Sequence, residues 1–333
     1  MGHQSKSKTT RHILAGAVAA MTAGAMPAAY ADIDLGKGFS IAGFLDQSFC
    51  TWSKFDNVCG NPGGEKKKFG IDQFETDFKY AGTGGVSAEV DIEYGDGAFP
   101  GGTASGNATF VEQAFVTKKF NDQFSVKVGR FLSYTGWEAE EPTGLFQWSG
   151  TGYGKYFYGF YQQGVSAAYD AGKVGFTVSV LDSAFNPYNY DAGHASYELG
   201  ATVKPLEGLT SKLFYTRDKK TDTDIINFWT SYAVAGWTFA GEYNSAKYAG
   251  PVKGDGYLLM ANYATGPYGI TLRYHGWNIK DGVGGSLDKQ HGFTVSPNYK
   301  VGDNLLLVAE YRKDKVTGVG KPGEFALEVL FSF

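Results

Sequence analysis

The chain predicts an all-β fold, a transmembrane antiparallel up-and-down β-barrel of about sixteen strands. Three observations carry this: side chains that alternate with period two, connections that alternate between short and long, and a last strand finishing on an aromatic residue. Phe74, Thr76, Phe78 and Tyr80 share one face, with Glu75, Asp77 and Lys79 on the other. The next strand repeats the pattern, with Val86, Ala88, Val90, Ile92 and Tyr94 against Ser87, Glu89, Asp91 and Glu93. Tyr197–Leu199–Ala201–Val203 and Trp237–Phe239–Gly241–Tyr243 continue it. Successive strand residues point to opposite faces, so these strands meet two different surroundings. No i, i+3, i+4, i+7 stripe is sustained after Asp32, which leaves no amphipathic helix to expect.

Short connections fall near 81–85, 121–123, 170–173, 205–209, 235–236, 265–267 and 301–304. Longer ones fall near 50–68, 95–108, 132–156, 182–195, 217–223, 245–254, 277–289 and 313–323. The two kinds alternate strictly, and seven against eight is the count that sixteen up-and-down strands require, with both termini on the short-turn side. Outer-membrane barrels have short periplasmic turns and long external loops. A soluble sandwich would also alternate, but it gives no reason for rings at the turns. Tyr80, Phe120, Tyr169, Trp237, Tyr263, Tyr268 and Tyr299 all flank the short turns, where an amphipathic ring suits the headgroup level.

At the C-terminus, Phe325, Leu327, Val329, Phe331 and Phe333 alternate with Ala326, Glu328, Leu330 and Ser332. A barrel tolerates no unpaired edge in lipid, so its last strand must be complete. This ending resembles the assembly signal of bacterial outer-membrane proteins, and it implies recognition of Phe333 by the β-barrel assembly machinery.

Export is read from the other end. Lys6, Lys8 and Arg11 precede an apolar, alanine-rich run over 13–29, and Ala29-Tyr30-Ala31 fits an A-x-A cleavage site. The expected division is a signal peptide over 1–31 and a single barrel domain over 32–333; a lone N-terminal anchor is the alternative, disfavoured by the shortness of the run. Losing those three cations moves the formal net charge from −4 to −7. No basic stripe remains to neutralise phosphates, so nucleic acid is not an expected partner. The composition, with 47 Gly, 25 Phe, 22 Tyr and only 2 Cys, suits pleated strands and tight turns.

One local match adds a family resemblance. Val126-Lys127-Val128-Gly129-Arg130-Phe131, followed by Thr135-Gly136-Trp137-Glu138, resembles the strand and loop of bacterial porins, and within them the OmpL-like β-barrel porins. The motif covers a short stretch, while the general pattern covers nearly all of the mature chain. The resemblance implies an outer-membrane channel, with periplasmic termini and, by analogy, a homotrimer; it implies no particular solute. Sixteen strands enclose a lumen wide enough for water, so the expected function is passive diffusion of small hydrophilic solutes with weak cation preference. A solute-specific channel and a plugged structural or surface-recognition barrel are the alternatives.

Permeation depends on the narrowest point and its charge. The connection over 132–156 is the third long loop, the place that folds inward in general porins. It carries Glu138, Glu140 and Glu141 with Phe146 and Trp148; carboxylates there would concentrate cations, unless the loop is merely an external one. By parity the lumen also receives Glu75, Asp77, Lys79, Glu89, Asp91, Glu93, Lys127, Lys204, Lys212, Glu242, Arg273, Glu310 and Arg312. These define either a transverse field or an ordinary lining tied by mutual salt bridges. Arg130 does not fit: alternation with Val126 and Val128 sends it toward lipid unless Gly129 forms a bulge or the strand has already left the membrane. Cys50 and Cys59, in the first long loop of an oxidising compartment, predict a loop disulfide. No His or second Cys pair accompanies them, no zinc spacing or phosphate-binding glycine loop occurs, and neither metal, cofactor nor enzyme activity is expected. A hydrolase would need His275, an inward strand residue, placed beside a Ser or a carboxylate.

Overall fold

A computed structural model describes residues 32–52, 67–95, 108–138, 140–185 and 192–333. The expected signal peptide, its cleavage site and Cys59 lie outside them. The strands are β1 (Ile33–Gly36), β2 (Phe39–Trp52), β3 (Lys67–Ala81), β4 (Val86–Gly95), β5 (Ala108–Lys119) and β6 (Phe124–Leu132). They continue as β7 (Tyr161–Asp170), β8 (Val174–Leu181), β9 (Ser196–Val203), β10 (Leu209–Asp218), β11 (Thr223–Val234) and β12 (Trp237–Lys247). The last five are β13 (Lys253–Thr265), β14 (Tyr268–Lys280), β15 (Ser286–Val301), β16 (Leu305–Val316) and β17 (Gly323–Ser332). Each of β2 to β17 pairs antiparallel with its chain neighbours, and β17 closes on β2. The result is a closed sixteen-stranded barrel with one short extra strand.

The seam shows how the ends complete each other. Register runs from Glu324 opposite Trp52 to Ser332 opposite Phe44. Phe333 then exchanges two backbone hydrogen bonds with Gly43, each 3.0 Å. Beyond that point β2 pairs with β1, Ile33 facing Ile41, so the extra strand covers the edge that β17 is too short to reach. A Cβ on Gly43 would sit 2.3 Å from the Glu75 carbonyl oxygen and 2.7 Å from the Phe333 ring. Glycine is what lets the terminal ring lie over the seam.

The alternating faces separate as expected. On β17, Phe325, Leu327, Val329 and Phe331 point outward and are exposed, while Ala326, Glu328, Leu330 and Ser332 are buried. On β13, Leu259 is 61% exposed whereas its neighbours Leu258 and Met260 are buried. Apolar side chains therefore cover the outside of an isolated barrel, the arrangement a lipid solvent requires. No described helix is long and apolar enough to cross a membrane; the strands cross. At the short-turn end the rings pair across strands: Phe39 with Tyr80 at 4.6 Å, Trp237 with Tyr263 at 4.7 Å, and Tyr268 with Tyr299 at 5.1 Å. The turn between β11 and β12 holds Ala235 at φ 48° and Gly236 at φ 82°, a type I′ geometry matched to strand twist.

The outer connections of the second half are tighter than the turn signals imply. They occupy 219–222, 248–252, 281–285 and 317–322, because strands such as β14 and β15 keep pairing through Trp277–Gln290 and Asn278–Lys289. Polar residues there belong to strands extending beyond the apolar band. Arg130 keeps the outward parity of Val128. No register shift interrupts β6, so there is no bulge at Gly129. Its guanidinium bonds the Val111 carbonyl at 2.9 Å and Gln163 at 3.3 Å near the long-loop end of the wall.

Candidate functional site

The third long connection lies inside the barrel. Its path is set by side chains of the wall reaching for its backbone and hydroxyls. From the end of β6, Ser133 Oγ and the Tyr134 amide donate to Glu198 on β9, at 2.6 and 3.1 Å. The Gly136 amide donates to Asn227 on β11 at 3.3 Å, and the Trp137 amide to Glu242 on β12 at 3.3 Å. Glu138 then meets Arg273 of β14 at 2.6 Å. On the return, Thr271 Oγ1 donates to the Phe146 carbonyl at 2.7 Å. The Ser149 amide and hydroxyl both donate to Glu310 on β16. Arg312 donates to the Gly150 and Thr151 carbonyls at 2.7 and 2.9 Å.

An aromatic set completes the attachment. Tyr153 and Tyr158 both donate to Glu242, and Tyr156 donates to Asp288 on β15 at 2.6 Å. Burial, with the Glu242 carboxylate adding to it, pushes the Tyr153 and Tyr158 phenols well above their ordinary range, so both donate as neutral hydroxyls. Phe157 is fully buried against Gly254 and Gly256 of β13. A Cβ on Gly256 would come within 2.6 Å of that ring, so these two inward glycines form the hollow that receives it. Such charge-assisted bonds are each worth about 1.5–3 kcal/mol; several in one loop fix its position.

The predicted site residues divide into two groups. Arg273 is not a free lumenal charge: it is 1% exposed and paired with Glu138, and its two terminal nitrogens also donate to Ser149 and Thr294. Salt-bridged lining, not a bare basic wall, is what this side presents. Arg312 is likewise paired with Asp314 at 2.8 Å. Phe146 belongs to the aromatic set, and Trp148 packs on Cys50, Trp52 and Ala326. Cys50 points inward and is not a free thiol.

The opposite wall is acidic. Glu75 faces Glu93 and Asp77 faces Asp91 across β3 and β4, while Lys79 faces Glu89. Directly opposed like charges destabilise a sheet unless something neutralises them. Asp77 has Lys79 at 3.4 Å. Among the described residues, Glu75, Asp91, Glu93, Glu140 and Glu141 have no cationic side chain within salt-bridge distance. Lys127 instead lies over the Phe115 ring at 4.2 Å. Glu141 crosses to this side, accepting from Gln73 of β3 at 2.9 Å and Tyr161 of β7 at 2.8 Å. Enclosure by the barrel raises both Glu140 and Glu141 above the usual carboxylate range; for Glu140 the Glu141 charge adds to it. Glu140 keeps solvent contact, which moderates the effect of enclosure there.

Alternation alone misses Glu112. β4 and β5 slip register between Asp91 and Ile92, so both Gln113 and Glu112 turn inward. The signal was present: Val111 and Val116 both face outward, an odd spacing that a regular strand cannot produce and a bulge can. His275 does reach a carboxylate, Asp314 at 3.7 Å, but it also meets Arg312 at 3.2 Å, and among the described residues no Ser hydroxyl bonds it. The ring is fully buried beneath the loop.

A sixteen-stranded barrel crossed by an inward third loop, polar within and apolar without, is the architecture of an outer-membrane channel of the porin class. The family model described as Gram-negative porin matches residues 15–318, and the chain belongs to that family. No curated protein matches significantly. Among solved structures, OmpT of Vibrio cholerae shares the fold at TM-score 0.64 and 12% identity, covering 91% of this chain and 100% of that one. An anion-selective porin from Comamonas acidovorans gives 0.62 and 15%, covering 89% and 99%. A trimer form of Vibrio cholerae OmpT gives 0.58 and 12%, with the same coverage of 89% and 99%.

Proposed function

We propose that this porin is a non-enzymatic diffusion channel for small hydrophilic solutes that prefers cations. The observation that carries the reading is the unbalanced lumen. Arg273 and Arg312 are consumed in holding the third loop, whereas Glu75, Asp91, Glu93, Glu140 and Glu141 face the lumen without cationic partners among the described residues. Lys127 and Lys212 also face inward, over the Phe115 and Trp229 rings, but the carboxylates outnumber them, and an excess of one sign within low-dielectric walls raises the local concentration of the opposite ion. The Comamonas relative is described as anion-selective; the charge arrangement here supports the reverse preference. The constriction is assigned to the stretch around Glu140 and Glu141. Assembly as a homotrimer, periplasmic termini, removal of residues 1–31, a Cys50–Cys59 disulfide and recognition of Phe333 by the assembly machinery all belong to this reading. The test is the reversal potential across a planar bilayer in a salt gradient. A potential of cation-selective sign supports the reading, and an anion-selective one overturns the preference.

A further inference from the structure

The least explained feature of the lumen is a carboxylate triad drawn from three distant parts of the chain. Glu75 comes from β3, Glu112 from the bulge of β5, and Glu141 from the inward loop. One oxygen from each lies within 4.8 Å of the others. That spacing permits one ion to reach all three, since two ligands of one calcium ion, each about 2.4 Å from it, sit no more than about 4.8 Å apart. Glu75 and Glu112 are 4% and 3% exposed, so water does little to screen them. Among the described residues Glu112 Oε2 is buried with no hydrogen-bond partner, and the bulge is what turns the Glu112 side chain inward. A carboxylate buried beside two others, with one of its oxygens unpartnered, is costly unless a cation or protons satisfy it.

The surroundings point to a cation. Gln73 donates to both Glu75 and Glu141, at 3.2 and 2.9 Å, and Tyr161 donates to Glu141 at 2.8 Å. Both neutral donors fix carboxylate orientation; each takes one lone pair of a Glu141 oxygen and leaves the second lone pair of that oxygen for an ion, which is the usual task of groups behind a metal ligand. The donors are all oxygen, which selects a hard cation over zinc or copper. Three protein carboxylates exceed the one or two that magnesium, which keeps most of its waters, usually takes, and this favours calcium.

We propose that Glu75, Glu112 and Glu141 bind a divalent cation of the calcium type, which ties the inward loop to the β3–β5 wall. The loop is already latched to β12, β14 and β16 by Glu242, Arg273 and Arg312; the ion would fasten it on the facing side. Binding does not depend on permeation, and only an effect of calcium on current would rest on the channel reading.

The test uses the folded full-length barrel in detergent, stripped with chelator and titrated calorimetrically with calcium chloride. A single saturable calcium site per chain is expected. Glu112→Gln and Glu141→Gln should each weaken it by at least about tenfold, because affinity follows the number of charged ligands. Asp303→Asn, in a short turn away from the triad, should leave it unchanged. Folding of each variant is checked by heat-modifiable mobility, and Glu141→Gln stands alone if the wall variant fails to fold. Absence of saturable binding, or binding that both Gln variants leave intact, overturns the proposal. Retained calcium binding in a protein that carries no current would sink the channel and spare the site.

Discussion

Glu138→Gln should loosen the inward loop without disturbing the barrel. The substitution keeps the size of the side chain but removes the negative partner of a guanidinium whose side chain is fully buried. Breaking a buried pair from one side costs about 3–5 kcal/mol, because the remaining charge is left uncompensated. The low end applies here, since Arg273 keeps the Thr294 hydroxyl of the wall and regains water when the loop, and Ser149 with it, lifts away. A loss of about 3 kcal/mol shifts the ratio of docked to lifted loop by about a hundredfold. The Glu138 carboxylate also accepts from Gln147 at 3.0 Å and the Thr151 amide at 2.7 Å, so the outgoing and returning limbs of the loop lose their common anchor together. Single-channel recording reads the result directly. The variant should show added transitions to a larger conductance level and a shift of selectivity toward anions, as the Arg273 charge is unmasked. Conductance, noise and selectivity all equal to wild type would refute the idea that this pair holds the loop.

Three further outcomes follow from the same geometry. Gly256→Leu fills the hollow that receives Phe157 and costs about 1–3 kcal/mol of loop docking; trypsin should cut at exposed Lys155 faster than in wild type, and an unchanged rate would contradict the placement. Leu259→Arg puts a cation on the lipid face at the middle of β13 and should lower folding free energy in vesicles by about 2–4 kcal/mol; no loss would mean this face does not meet lipid. Glu140→Gln combined with Glu141→Gln should reduce cation preference several-fold at about 0.01 M salt and much less at about 1 M, where screening is short-ranged. An equal reduction at both salts would assign the effect to shape instead of charge.

Much of the barrel is legible in the sequence because lipid enforces a simple rule. Every strand must be apolar on one side, so Phe325 to Phe331 or Val174 to Val180 reveal their outward face by spacing alone. Closure then fixes the number of strands through the alternation of turns, whereas only the place of the third long loop in chain order hints at its inward path. What the sequence hides is partnership across the lumen. Nothing local connects Glu138 with Arg273, or Ser149 with Glu310, since the contacts join a loop to strands laid down more than a hundred residues later. The same holds for the triad: parity places Glu75 inward, but Glu112 is turned there by a bulge that strict alternation cannot see. Parity points Arg273 inward and leaves open whether it is salt-bridged, because a lone sequence position does not show which carboxylate will reach it. The polar ends of β14 and β15 read as loop for a related reason: beyond the apolar band, strand pairing continues without the hydrophobic signal that announces it.

The central claim is that a continuous aqueous passage remains beside the docked loop. Folded protein added to a planar bilayer should insert in discrete current steps, each ohmic and growing with salt concentration. Complete silence at every salt concentration, from protein whose heat-modifiable folded form has been verified, would mean that the loop seals the barrel and that this is no channel.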